Sequence, residues 1–282
     1  MNYNYSVIVP FRDRYELLLK AIDSIPDRED IQIIIVDNAP QPLPQSQIPV
    51  KGKATVVFTT SSPTKGAGHA RNIGLTLAEG QYMVFLDSDD YFTPNAFESF
   101  DQYLNQEFDI VYFDASSIKL SDNSLSMRHN TIHNRITGFL ATGDEDPLRY
   151  DFVNPYCKMV KASLVLDNGI QFGETRVAND SLFSVRIGHQ AQKITASSDV
   201  VYVITEGGVG TSLTKTKSAE NEFIRFSVII SRYKFLKAIG KQQQCPRIYT
   251  RVVRAFLNYG MKESLRWLKY AHKQGVKLLI IY

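Results

Sequence analysis

The sequence predicts an α/β fold, a mostly parallel sheet sandwiched by helices, with a helical basic C-terminal extension. Three observations predict it. Short β-rich apolar runs alternate with helical patterns through the first part of the chain. Two of those runs end in a carboxylate, Asp37 and Asp87, and the charge is divided unevenly along the chain. Open parallel sheets bind ligands outside the carboxyl ends of their strands, so function is expected at those ends.

Taken in order, "YSVIVP" reads as the first strand, closed by Pro10, and "RYELLLKAIDSI" as the helix after it. "IQIIIVD" is apolar almost throughout, as a strand covered on both faces should be. Pro40, Pro42, Pro44 and Pro49 then break any helix and mark a surface connection. "ATVVFTT" with "HARNIGLTLAEG", and "QYMVFLD" with "PNAFESFDQYLNQ", repeat the strand-helix unit, and "DIVYFDA" adds a further strand. Thr93, directly before Pro94, is expected to cap the helix it precedes.

Residues 211–282 hold fifteen Lys or Arg against three Glu, so this tail contributes +12 to the net charge of +3 and the front carries −9. The Gly-, Ser- and Thr-rich "TEGGVGTSLTKTKS" reads as a linker. It sets the domains at 1–210 and 211–282, with the front divided near residue 115. The tail "RVVRAFLNYGMKESLRWLKYAHKQGVKLLIIY" interleaves cations with aromatic and aliphatic residues at helical spacing. Packing on the front part, binding an acidic acceptor and peripheral contact with anionic lipid all suit it. No nucleic-acid module is recognisable, so no nucleic-acid partner is expected. No apolar run approaches the roughly 18 to 20 residues of a membrane span and the N-terminus lacks a signal-peptide layout, so a cytoplasmic protein is expected. Cys157 and Cys245 lack CxxC spacing and read as buried reduced thiols.

The chemistry concentrates in "FLDSDD". Carboxylates this close repel one another and need solvent, a metal or a cation to neutralise them. Capping the next helix would use one oxygen and leave Asp87 and Asp89 unexplained. A DxDxDG calcium loop is missing, whereas Mn2+ or Mg2+ held by one or two carboxylates and substrate phosphates fits. In "KGAGHARNIG", Gly66 and Gly68 open like a dinucleotide fingerprint, but Arg71 replaces the third glycine and no strand precedes the stretch. What remains is a loop feeding a helix, with Lys65, His69 and Arg71 facing either an anion or solvent. His129 and His133 in "HNTIH" lack the Glu of a zinc helix and read as a solvated loop. On its own residues, Asp180 before "SLFSVRIG" reads as a helix N-cap.

"SVIVPFRDR", "IIIVDNAP", "KGAGHARNIGLTLAEGQYMVFLDSDDYFTPNAF", "NPYCKMVKASLV" and "FGETRVANDSLFSV" stand in the order and spacing of the family-2 glycosyltransferases, which the chain resembles over about residues 4 to 205. The resemblance implies the GT-A fold and an inverting transfer from a nucleotide sugar, a UDP-sugar by preference, to a glycan or lipid-linked acceptor in surface-polysaccharide synthesis. It implies Asp89 as the ligand of the divalent metal, with Asp87 of the DxD motif Asp87-Ser88-Asp89 on the ribose or sugar. Asp37 would contact the base, Pro10 and Phe11 would wall it, and Arg12, Lys65 and Arg71 would lie near the nucleotide. It places Asp180 on the catalytic base, with Asn179 where the family has Glu, and Lys158 on the Lys of its "NKxx" segment. The loop after Asp37 departs from the family's second acid and Gly-Ser. Two other classes compete: a catalytically silent scaffold that binds nucleotide sugar or glycan, and a nucleotidyltransferase. A silent copy has no need of both Asp89 and Asp180, and "VPFRDR" stands where a nucleotidyltransferase carries a glycine-rich turn.

Overall fold

A computed structural model describes residues 3–207 and 218–276. The linker reading at 205–218 falls largely outside the described residues. The strands are β1 (Tyr3–Phe11), β2 (Ile31–Asp37), β3 (Thr55–Thr60), β4 (Gly80–Phe85), β5 (Tyr91–Phe92), β6 (Ile110–Lys119), β7 (Lys158–Lys161) and β8 (Ile194–Glu206). They form one sheet in the order β3-β2-β1-β4-β7-β6-β8-β5. β7 and β5 run against the other strands, so the sheet is mostly parallel, as the alternation predicts.

The strand order reverses at β1: β2 and β3 build outward on one side, and the chain then crosses to place β4 on the other. That switch point lies between the carboxyl ends of β1 and β4, where an open sheet leaves a crevice. All seven residues of β2 are buried, which explains its unbroken apolar run. Helices α1 (Tyr15–Asp23), α2 (Gly66–Leu77) and α3 (Ala96–Asp101) belong to this half, and α4 (Asn130–Thr142), α5 (Ala162–Leu166) and α6 (Ser181–Gln190) to the second.

Three local expectations are corrected. The helix read into "PNAFESFDQYLNQ" is confined to Ala96–Asp101. Thr93 caps nothing with its side chain; its hydroxyl donates to the Val200 carbonyl at 2.8 Å and ties the segment to β8. "HNTIH" is the start of α4, where His129 meets the Ser117 hydroxyl at 2.7 Å and His133 meets Asp114 at 2.6 Å.

In the basic extension, α7 (Ala219–Ala238) and α8 (Ile248–Lys273) share a small core in which Phe226 stacks on Trp267 at 4.6 Å. Gly260, at φ 83°, kinks α8. α7 and the turn after it pack on the front part: Arg232 donates to the Tyr150 carbonyl at 2.5 Å and pairs with Asp151, Lys241 beyond the helix pairs with Asp146 at 2.8 Å, and Leu236 packs with Tyr150 and Val185. Among the described residues, no helix is long and apolar enough to cross a membrane. Cys157 is a buried free thiol, while Cys245 is only half-buried.

Candidate active site

At the switch point a cleft of about 690 Å3 is lined by Pro10 to Arg14 after β1, Gly66, Ala67 and Arg71 of α2, Asp87 to Asp89 after β4, Arg176 to Asp180 ahead of α6, and Arg225 of α7. Of the residues singled out in sequence, Pro10, Phe11, Arg12, Arg71, Asp87, Ser88, Asp89 and Asp180 line it. Asp37 and Lys65 do not.

The three carboxylates of "FLDSDD" take three different places. Asp90 is buried and holds β8: it accepts from the Thr205 amide at 2.7 Å and from the Tyr202 hydroxyl at 3.0 Å. Burial and the charges of Asp89 and Asp87 push its carboxyl well above the usual range. Asp87 pairs with Arg71 at 2.5 Å through one oxygen, and its amide donates to Tyr202. Asp89 is half-buried on the cleft wall, where burial and then the charge of Asp87 raise its carboxyl. Apart from its own backbone, the charges that oppose this rise are Arg14 and Arg128.

Arg71 ties the walls together. Buried at 5% exposure, it spans Asp87 and the Asn179 side chain, the latter at 2.9 Å. Burial alone would lower its pKa, but Asp87 and Asp180 outweigh that and hold it charged. The start of α2 lies so close to the 173–179 loop that a Cβ on Gly68 would fall 2.0 Å from the Gly173 carbonyl oxygen. Glycine is therefore required there, and Arg71 gains its reach to Asn179 from that approach.

Asp180 immediately precedes α6, yet its side chain makes no capping hydrogen bond. Capping does not occupy its carboxylate, which lies on the cleft instead. Burial raises its pKa; Arg71 and Lys158 pull the other way. Lys158 is fully buried, donating to the Phe152 carbonyl at 2.6 Å and lying over the Phe152 ring, and burial lowers its pKa to about 7. It is near enough to Asp180 to act on its carboxyl and is not on the cleft lining.

The cationic trio read from "KGAGHARNIG" separates. Lys65 and His69 both face Glu174, at 3.5 and 2.8 Å, and only Arg71 turns to the cleft. Asp37 is fully buried, with one oxygen accepting from the Ala39 amide and the other from the Leu43 amide, both at 2.8 Å. Its neighbour Asn38 lines the cleft. Sequence reasoning passed over Asn38, Arg14, Arg176 and Arg225. The proximity of Asn38 and Arg14 to the strand ends was the available signal; nothing local announces Arg225, which arrives from the extension.

A divalent cation fits Asp89 and the free oxygen of Asp87. Among the described residues no group of three His, Cys, Asp or Glu is gathered to hold a metal without help. One or two carboxylates beside room for phosphate oxygens and water is a donor set suited to Mg2+ or Mn2+.

A sheet whose strand order switches beside a cleft walled by acids and a buried arginine defines an open α/β class of protein that takes its ligands at that crevice. The glycosyl transferase family 2 model matches residues 6–167, and the chain belongs to that family. It is 27% identical over 281 residues to the minor teichoic acid biosynthesis protein GgaB of Bacillus subtilis, covering 94% of this chain and 29% of GgaB. It is 24% identical over 291 residues to the poly(ribitol-phosphate) beta-N-acetylglucosaminyltransferase TarP of Staphylococcus aureus, covering 97% of this chain and 85% of TarP. The chain spans less than half the length of several curated relatives it matches. Residues 1–349 of S. aureus TarS, solved with UDP-GlcNAc, superpose with a TM-score of 0.72 at 18% identity over 96% of this chain and 80% of that one. A mannosyltransferase from Pyrobaculum calidifontis, solved with GDP-Man and Mn2+, does so with a TM-score of 0.58 at 14% identity, over 98% and 85%. These likenesses establish the GT-A fold.

Proposed function

We propose that this chain is an inverting glycosyltransferase that moves a sugar from a UDP-sugar to a hydroxyl of a surface polymer, either a glycan or lipid-linked chain or an alditol-phosphate polymer. The observation that carries the reading is that Asp89 and Asp180 line one cleft at the switch point, Asp180 making no side-chain capping bond to the helix it precedes. The named activities of the relatives support the donor and the β-product: TarP is a beta-N-acetylglucosaminyltransferase, and TarS was solved with UDP-GlcNAc.

In this reading Pro10, Phe11 and Asn38 wall the nucleoside, with Asp37 shaping the loop beneath it. Arg12 lies at the rim, and Ser88 beside the sugar. Asp89, with Asp87, would hold Mn2+ or Mg2+, which when bound stabilises the charge gathering on the leaving diphosphate. Asp180 takes the proton of the acceptor hydroxyl as its oxygen attacks the anomeric carbon from the face opposite the diphosphate. The bond from that carbon to the diphosphate oxygen breaks with its electron pair, and the configuration inverts. Arg71 holds Asp87 and the loop of Asp180 in one frame, so donor and base share a single geometry.

Residues 1–210 would act as the catalytic unit and 211–282 as the extension that contributes Arg225. Exposed Tyr249, Leu257 and Met261 beside Arg254 and Lys262 on α8 suit peripheral contact with the anionic inner face of a membrane where a lipid-linked acceptor is presented.

The test is UDP release from a panel of UDP-sugars with poly(ribitol phosphate) or a lipid-linked glycan as acceptor. Asp180→Asn is expected to lower turnover about 100- to 10,000-fold while UDP affinity is kept. Equal loss of both would make Asp180 a structural residue.

A further inference from the structure

Arg14 is a poor choice for every local task its position sets. Its carbonyl receives the first amides of α1, from Leu17 and Leu18, so it stands at the N-cap. Ser, Thr, Asp or Asn would there accept an amide through the side chain; arginine has no acceptor and makes no capping bond. Its backbone is left-handed, at φ 63° and ψ 69°, where glycine is free of strain and a long side chain is not. Strain of this kind persists where the surrounding structure enforces it, and it gathers at ligand sites.

What the conformation achieves is direction, because Arg14 lines the cleft. Its Nε lies 3.7 Å from Asp13, while its Nη1 is buried and has no hydrogen-bond partner among the described residues. A buried guanidinium nitrogen without an acceptor is costly, and a turn of this part-exposed side chain toward an oxygen held in the cleft would remove that cost. Of the other four cations on the cleft, Arg176 is exposed to solvent and three are engaged elsewhere. Arg71 is divided between Asp87 and Asn179, Arg12 donates to the Pro63 carbonyl, and Arg225 pairs with Glu222. Asp89, which Arg14 influences electrostatically, is the carboxylate assigned to the metal.

We infer that Arg14 receives the diphosphate of the nucleotide sugar, gripping it from the β1 side while the Asp89 side grips it from β4. The inference rests on the donor reading above and adds to it a second, protein-supplied cation on the leaving group. A guanidinium suits this task because its planar fork matches two phosphate oxygens at once. It also leaves part of the donor affinity independent of metal.

The experiment is isothermal titration of the full chain with UDP, UMP and uridine, in Mn2+ and in EDTA. The variants are Arg14→Gln, Arg14→Lys and Arg14→Gly, with unfolding midpoints measured alongside. Arg14→Gln is expected to weaken UDP about 10- to 100-fold in both buffers, to weaken UMP less and to leave uridine unchanged. Arg14→Lys should recover part of the loss. Arg14→Gly places the preferred residue at the left-handed position, so it should unfold no lower than the wild type and still bind UDP as weakly as Arg14→Gln. UDP binding that is unchanged in these variants would overturn the inference. So would a loss shared equally by uridine, or a loss that vanishes in EDTA. A wild-type chain that binds no nucleotide would overturn the donor reading itself, and this inference with it.

Discussion

Asp37 and Asp89 occupy related places, each at or just past the carboxyl end of a parallel strand, and they have opposite fates. The loop after β2 folds back so that both oxygens of Asp37 accept backbone amides, and the residue is sealed from solvent. The turn after β4 gives its structural work to Asp90 and its arginine to Asp87, leaving Asp89 with a raised carboxyl on the cleft wall. A strand-end acid is thus spent on architecture or kept for chemistry according to what the following loop does with its amides.

This difference can be broken by substitution, most severely at Asp37. Asp37→Ala strands two buried amides and is expected to cost about 3 kcal/mol of stability, read by urea unfolding. A loss below about 0.5 kcal/mol would mean the loop does not depend on that carboxylate.

Asp180 sharpens the same contrast, since its environment adjusts its basicity. A base with a raised pKa is protonated below it, so kcat/KM should fall as pH drops through a value above the ordinary aspartate range. Lys158→Met removes a cation that opposes the rise, and the acid limb should move to higher pH by up to about one unit. An unmoved limb would reduce Lys158 to packing.

The smallest effect is expected at Asp89. Its folded pKa is raised, so the folded state binds more protons than the unfolded one between the two values. The stability this contributes is present at low pH and lost as pH rises through the folded pKa. At pH 7, without metal, Asp89→Asn should therefore raise the unfolding midpoint by about 1–3 °C while it removes metal binding. A lowered midpoint would place Asp89 with Asp37 among the structural acids.

The parallel half of the sheet was legible because its strands are long apolar runs whose burial on both faces leaves a pattern. β5 and β7, of two and four residues, are too short to leave one, and their antiparallel pairing depends on partners far away in sequence. Asp87 and Asp89 stood out through a strand end and a carboxylate run and Asp180 through the family resemblance, residue pattern alone favouring a cap for it; all three line the cleft. Lys65 and Asp37 were expected beside the nucleotide and neither lies on the cleft lining, because a charged residue's partner is fixed by tertiary contacts such as Glu174 and the Leu43 amide. Arg14 escaped for a related reason: its left-handed backbone and unpartnered nitrogen are properties of the fold, invisible in "VPFRDR".

The most direct test of the central claim is titration of the purified chain with a panel of nucleoside diphosphates, with and without Mn2+, alongside Asp89→Ala. UDP binding that Mn2+ strengthens, with that gain lost in Asp89→Ala, is the predicted result. Absence of binding by any nucleotide, or UDP binding indifferent to both Mn2+ and Asp89, would contradict it.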